Sequence, residues 1–490
     1  MINLDPSSGK PLVEQIVSAV TQSILSRQWR PGSRVQSIRE FARTHAVSTS
    51  TVVEGYDRLV AMGLLTARRG AGFFVAETGR GLNLPGMRPE MIHQHAIDDN
   101  WLLRNILEHR EGGIQAGCGW LPESWHDLEE VRKGLRHLAL SPHGMVRYGP
   151  PKGYEPLREQ VTRQLAELEI DAAPAQVLLT HGASQGLDLV VRRLTREGDT
   201  VLVDDPGYSN LLLALRLRGL HLVGVPMTPT GPDVAVLENL LTQYQPQLYI
   251  TNTQLHNPTG ASYSVATTFQ VLRLAERHGL RVVEDNVSAD LVPGRSVTLA
   301  AADQLRRVVY VGSFSKSVAP GLRVGFVVAE PGLLEELVYY KLVSGLSSSA
   351  INERLVHAIF MEGHLRKHLE QLRDRLAKAQ ERTCRRLENA GFKLFFEPGA
   401  GMFVWARPAD ETVDTLQLAQ MALSQNILLA PGHLFRTDLS PCPWMRFNVA
   451  YCDNDRLFTL MDEALAACRQ QGPRETRAAV RENQMEDLHS

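Results

Sequence analysis

Cysteine is scarce in this chain: five residues in 490 (Cys118, Cys384, Cys442, Cys452 and Cys468), an odd number with no C-x-x-C pair. A disulfide-built scaffold is excluded, and a reduced, cytosolic protein is expected. Long apolar stretches are lacking too. No run reaches eighteen residues, so nothing reads as a membrane-spanning helix and no membrane partner is expected. The opening residues MINLDPSSGK lack the charged-then-apolar pattern of a secretory signal. Internal repeats and low-complexity blocks are absent as well. Net charge is only −2, which by itself selects no partner.

What is present is the composition of an ordinary globular protein, 43% hydrophobic and 22% charged, in a chain too long for one core. The small net charge is unevenly placed. Residues 1–76 hold nine Lys/Arg against five Asp/Glu, and the remainder is net acidic. In that basic head, Leu12, Ile16, Val20 and Ile24 recur at helical spacing. Arg30-Pro31-Gly32-Ser33 then supplies a turn. Ser37 can cap a second helix, with Glu40 three residues on, and Ser48 a third, reaching about Met62 with Gly63 as its C-cap. Two short β-runs around Arg68-Arg69-Gly70-Ala71-Gly72 predict a hairpin. Three helices and a basic hairpin make a winged helix-turn-helix, which reads DNA by placing a helix in the major groove and cations along phosphates. Ser48, Thr49, Ser50 and Thr51 open the third helix. Arg34 and Arg39 flank the turn before it, and Arg68 and Arg69 sit at the hairpin tip. A helical interaction domain with solvated arginines is the plainer alternative. The residues R-x-P-G-S-R-x-x-S-I-R-E-x-A, the hydroxyl-rich helix and R-R-G-x-G-x-F-V resemble the GntR family of regulators over nearly all of 1–76. Gln36 stands where that family usually has proline.

Residues 77–110 show no sustained periodicity and read as a linker. From 111 to 470, helical patterns alternate with the β-runs VLLTHG, TVLVDDP, HLVGVPM, QLYITN, RVVEDN, RVVYVGSFS and VGFVVA, which predicts an α/β domain with a mostly parallel sheet covered by helices. The stretch 471–490 reads as a polar tail.

Within that domain, Lys316 lies in Ser313-Phe314-Ser315-Lys316-Ser317, followed by Pro320-Gly321-Leu322-Arg323. A lysine at a strand end can form a Schiff base with an aldehyde cofactor, and Ser313, Ser315 and Arg323 can donate to a phosphate. Alone, such a lysine is usually a surface residue. Gly182-Ala183-Ser184 marks a strand-to-helix turn whose free N–H groups suit an anion. Asn257 in H-N-P-T-G can donate to a phenolic oxygen, or simply form an Asn-Pro turn. Asp285, ending RVVED, can keep a pyridine nitrogen protonated, or cap a helix. Arg446 in M-R-F-N can clamp a carboxylate, or lie on an edge strand.

The order G-A-S-Q, P-G-Y, N-P-T-G, E-D-N, S-F-S-K-x-x-x-P-G-L-R-x-G, M-R-F-N is similar to fold-type I aminotransferases, and with the head it resembles the MocR-type branch of the GntR family over nearly the whole chain. The resemblance implies a fold-type I aminotransferase-like domain with a smaller C-terminal subdomain, binding pyridoxal 5'-phosphate. By it, Lys316 holds the cofactor, Asp285 pairs with the ring nitrogen and Asn257 with the phenolic oxygen, and Tyr208 stacks on the ring. Ala183, Ser184, Ser313, Ser315 and Arg323 hold the phosphate. Arg446 takes an effector carboxylate, and Tyr148 reaches toward the partner's phosphate site in a domain-swapped homodimer. Related aminotransferases usually carry a tyrosine two or three residues after the aspartate; here those positions are Val287 and Ser288. The expected function is a regulator that binds a double-stranded DNA operator and senses pyridoxal phosphate, or an amine or amino acid effector through it. A working aminotransferase with an accessory head is the alternative, and a body serving only for dimerisation is a third reading.

Overall fold

The computed structural model describes residues 11–25, 29, 32–62, 64–68, 72–75, 112–140 and 146–471. The expectations for Arg30, Pro31, Gly63, Arg69, Gly70, Ala71, the linker 77–110 and the tail beyond Gln471 lie outside them. The chain divides into two compact units, 1–95 and 96–490.

In the first unit, helices α1 (Leu12–Leu25), α2 (Ile38–His45) and α3 (Thr49–Ala61) precede an antiparallel hairpin of β1 (Leu65–Arg68) and β2 (Gly72–Val75). Ser37 and Ser48 cap α2 and α3, accepting from the N–H groups of Glu40 and Thr51. The apolar stripe of α1 turns inward: Ile16 and Val20 are buried with Phe41, Val52, Tyr56, Leu59, Leu65 and Val75. The Tyr56 hydroxyl donates to the Gln36 carbonyl at 3.0 Å, which fixes the turn where proline would have been usual.

The second unit is built on an eight-stranded sheet of β3 (Val177–Thr180), β4 (Thr200–Asp205), β5 (His221–Thr228), β6 (Gly231–Pro232), β7 (Leu248–Thr251), β8 (Arg281–Asp285), β9 (Val308–Ser313) and β10 (Gly325–Val328). Their spatial order is β3-β10-β9-β8-β7-β4-β5-β6. Strands β5, β4, β7, β8 and β9 run parallel, whereas β10 lies antiparallel to both β9 and β3. The strands are apolar on both faces because helices cover both. Leu202, Tyr249, Val282 and Val308 enter one core, and Val201, Val203, Ile250 and Val283 the other. Helices α4 (Gly182–Leu194) and α5 (Pro331–Gly345) pack into the second of these cores. A smaller antiparallel sheet follows, β11 (Phe392–Leu394), β12 (Phe403–Pro408), β13 (Ala430–Pro431) and β14 (Met445–Asn448), in the order β11-β12-β14-β13. The segment from Ile114 is stitched to this sheet region: Ile114 bridges Ile427, and Gly117 N–H donates to Leu428 O. Among the described residues no helix is long and apolar enough to cross a membrane, and Cys118, Cys384, Cys442 and Cys452 are free thiols.

Candidate cofactor site and DNA-reading head

The anion end of the candidate site is made by a turn that favours glycine. Gly182, between β3 and α4, has φ +71°, and a Cβ there would lie 2.5 Å from Arg323 Nη2. The Arg323 guanidinium therefore lies against the start of α4, where Ala183 and Ser184 belong to the first turn and their N–H groups have no helical acceptor. The His181 side chain makes no cap to that terminus. Ser313, closing β9, donates to Ser315 Oγ at 3.0 Å and accepts from Ser315 N–H, which orders the two hydroxyls beside Lys316. Two hydroxyls, a guanidinium and a helix N-terminus form a donor set for a dianionic phosphate.

Next along the site, the Lys316 amine donates to the Gly119 carbonyl. Burial pushes its pKa down to about 8, and the Arg446 and Arg323 charges push the same way against Cys118 and Asp285. Asp285, at the end of β8, is buried. Burial pushes its carboxyl up to about 7 against the Val287 N–H and the Lys316 charge. A cation facing Asp285 would favour its ionised form, as a protonated pyridine nitrogen requires. Tyr208, just before the helix Ser209–Leu217, has its phenol pushed up by burial and then by the charge of Asp285, while Arg446 and Arg323 pull it back. Lys316, Asp285, Tyr208, Arg323 and Arg446 thus act on one another across a single site.

Arg446 is not on an edge. Strand β14 lies between β12 and β13, and the side chain is 2% exposed. Its guanidinium carbon sits 4.8 Å from the ring centres of both Phe403 and Phe435, a double cation–π contact. Burial lowers its pKa to about 10, so it stays cationic at neutral pH. Nη2 donates to Gly117 O at 2.6 Å and Nη1 to Asn257 Oδ1 at 2.7 Å. With its oxygen turned to Arg446, Asn257 keeps its amide N–H groups for an acceptor such as a phenolic oxygen.

Sequence reasoning did not find the carbonyls of Gly117 and Gly119. The pattern G-C-G was its only visible trace, and the contacts span 329 and 197 residues. It also missed Asn252, which bonds the backbone on both sides of the site. Tyr148 lies in a described loop and is 83% exposed.

In the head, Arg34 and Arg39 are exposed, and Arg68 lies 4.5 Å over the Phe74 ring. The Ser48 hydroxyl is held within the cap, 2.8 Å from Ser50 Oγ and 2.6 Å from Thr51 Oγ1. Thr49, Ser50, Val53, Glu54, Asp57 and Arg58 line the open face of α3.

Residues 12–75 match the family model of bacterial regulatory proteins, gntR family, and residues 121–463 that of aminotransferase class I and II. The second match covers well over half of the chain. An HTH-type transcriptional regulator of Bacillus subtilis, YdfD, is 27% identical over 91% of this chain and 94% of its own length. The rhizopine catabolism regulatory protein MocR of Rhizobium meliloti is 28% identical over 83% of this chain and 84% of its own. The chain belongs to the MocR-type branch of the GntR family. Among solved structures, this MocR-type body is similar to LysN, the α-aminoadipate aminotransferase of Thermus thermophilus, complexed with N-(5'-phosphopyridoxyl)-L-leucine. TM-score is 0.68 at 28% identity, covering 76% of this chain and 95% of that one.

This MocR-type chain is a DNA-binding transcriptional regulator whose aminotransferase-like domain takes pyridoxal 5'-phosphate. The donor set fits that cofactor. The cleared approach at Gly182 and the hydroxyl pair suit its phosphate, and a buried carboxyl at Asp285 suits a protonated ring nitrogen. The Asn257 amide suits its phenolic oxygen.

Proposed function

We propose that the body senses pyridoxal phosphate, or an amine or amino acid through it, and that this sensing changes how the head engages a double-stranded operator. Lys316 would hold the cofactor covalently. Asp285, Asn257, Tyr208, Ala183, Ser184, Ser313, Ser315 and Arg323 would bind its ring and phosphate, and Arg446 would take the effector carboxylate. In the head, Arg34, Arg39, Ser48, Thr49, Thr51, Arg68 and Arg69 would contact DNA. Bound there, pyridoxal phosphate supplies an aldehyde that links to primary amines and a ring that reports the linkage by its colour. The observation that carries the reading is the Arg446–Asn257 hydrogen bond at 2.7 Å. A carboxylate arriving at Arg446 competes for the guanidinium that orients the Asn257 amide, so occupancy by an amino acid is felt at the cofactor's phenolic oxygen. Differential contact of this kind is what an effector needs to shift an equilibrium.

We further propose a homodimer in which the heads are swapped between the two bodies. Tyr339, Val343 and Leu346 support the dimer: they recur at i, i+4 and i+7 along and just past α5 and are 67%, 74% and 53% exposed. Tyr148 would reach the partner's phosphate site. The domain limits 1–76, 77–110, 111–470 and 471–490 belong to the same reading.

The test is to reduce the loaded protein with borohydride, map the modified lysine, and measure operator affinity with and without an amino-acid panel. Modification of Lys316 and an affinity that moves with one amine are expected. Rapid turnover of amino acids to keto acids, with operator affinity unmoved, would instead favour an aminotransferase carrying an accessory head.

A further inference from the structure

Two residues proposed to hold the cofactor ring stand where the hydrogen-bond ladder between β7 and β8 has run out. The β7–β8 register ends at Thr251 opposite Glu284, so the Asp285 carbonyl has no rung from β7. Asn257 lies in the turn before Pro258, six residues past the end of β7, where its N–H has no strand partner. Buried backbone groups of this kind need partners. One side chain supplies both. Asn252, 7% exposed, donates from Nδ2 to Asp285 O at 2.7 Å and accepts at Oδ1 from Asn257 N–H at 2.8 Å. A second Nδ2 contact, to Gln254 O at 3.2 Å, fixes the plane of the amide.

Asn252 is itself held in the same manner. The β4–β7 register ends at Val203 opposite Ile250. Beyond it, Asp204 Oδ2 accepts from Asn252 N–H at 2.8 Å and from Thr251 Oγ1 at 3.0 Å, and Oδ1 accepts from the Tyr249 hydroxyl at 2.7 Å. Side chains thus extend the sheet by two further rungs, Asp204 to Asn252 and Asn252 to Asp285, past the point where backbone pairing stops.

We propose that Asn252 is a positioning residue for the cofactor: it sets the spacing between the carboxyl facing the ring nitrogen and the amide facing the phenolic oxygen, with Asp204 locking its orientation. The proposal rests on the cofactor contacts assigned above to Asp285 and Asn257. Its geometry explains why asparagine serves. The two arms need one donor and one acceptor about one amide apart, and a primary amide carries both at every pH. Glutamine is a methylene too long for partners already at 2.7 and 2.8 Å.

The full-length protein tests this with Asn252→Ala, which removes both arms, and Asn252→Asp, which keeps the acceptor for Asn257 and loses the donor to Asp285. The readouts are the equilibrium affinity of the cofactor-free protein for pyridoxal phosphate, the pH midpoint of the bound cofactor's visible band, and thermal unfolding of the cofactor-free protein. Removal of two buried hydrogen bonds should weaken cofactor affinity by at least about tenfold in Asn252→Ala. The band midpoint should move in both variants, and further in Asn252→Ala. Cofactor affinity within about twofold of wild type and an unmoved midpoint in either folded variant would overturn the proposal. Should Asn252→Ala fail to fold, Asn252→Asp and Asp204→Asn carry the same test by the same midpoint. Wild-type protein that binds no pyridoxal phosphate would instead overturn the assignment of the site, which is a separate result.

Discussion

At the scale of the residue, Lys316 makes a kinetic prediction. A lysine must be neutral to attack an aldehyde, and at pH 7 a group of pKa about 8 is neutral about one time in ten, against less than one in a thousand for an ordinary lysine. Because the pKa is lowered, the neutral fraction grows as pH rises toward about 8 and saturates above it. Capture of pyridoxal phosphate by cofactor-free protein, followed by stopped-flow absorbance, should therefore accelerate about tenfold per unit below that pH and level off beyond it. A profile still rising at pH 10 would mean that burial does not depress this amine. Ser288 makes a second prediction. It is buried and leads into the short turn Ala289–Leu291, where no phenol is offered to the cofactor's phenolic oxygen from that position. Ser288→Tyr should add a donor of roughly 1.5–3 kcal/mol, which lowers the midpoint of the visible band by about one unit or more. It should also speed single-turnover reaction with amino acids. A spectrophotometric titration decides it; an unchanged midpoint would show that the phenol is not what this pocket lacks.

At the scale of the element, the head is where affinity for DNA is expected to reside. Arg39 is exposed near the start of α2. If it meets a phosphate, Arg39→Ala should weaken operator binding at all sequences and flatten the log–log salt slope by about 1. Filter or anisotropy titrations over a salt series measure it, and a wild-type slope near zero would remove the winged-helix reading of function. Most elements were legible beforehand because their signals are local. Ser37 and Ser48 announce caps, Ile16 and Val20 an inward stripe, and the seven β-runs end within two residues of the strand ends. The antiparallel run of β10 was not legible. Its sequence VGFVVA is as apolar as its parallel neighbours', and direction is set by the loop through Lys316 and by pairing with both β9 and β3. Asn252 stayed hidden for a similar reason. Its use depends on Asp285 being brought beside it from 33 residues away, and no local pattern records that.

At the scale of the whole molecule, the exposed stripe Tyr339, Val343 and Leu346 predicts self-association. Val343→Glu, a charge placed in the middle of it, should shift the protein toward monomer in sedimentation or light scattering. If Tyr148 completes the partner's phosphate site, cofactor affinity should fall with it. An unchanged mass would relocate the interface. Connectivity adds one more consequence. The segment 112–119 is the first described stretch after the linker, and within eight residues it presents the Gly117 carbonyl to Arg446 and the Gly119 carbonyl to Lys316. The two cations proposed to meet effector and cofactor therefore both hold the chain a few peptide units downstream of the tether that leads back to the head. A molecule that takes over either cation's hydrogen bonds would release a backbone carbonyl in the stretch that follows the linker in sequence.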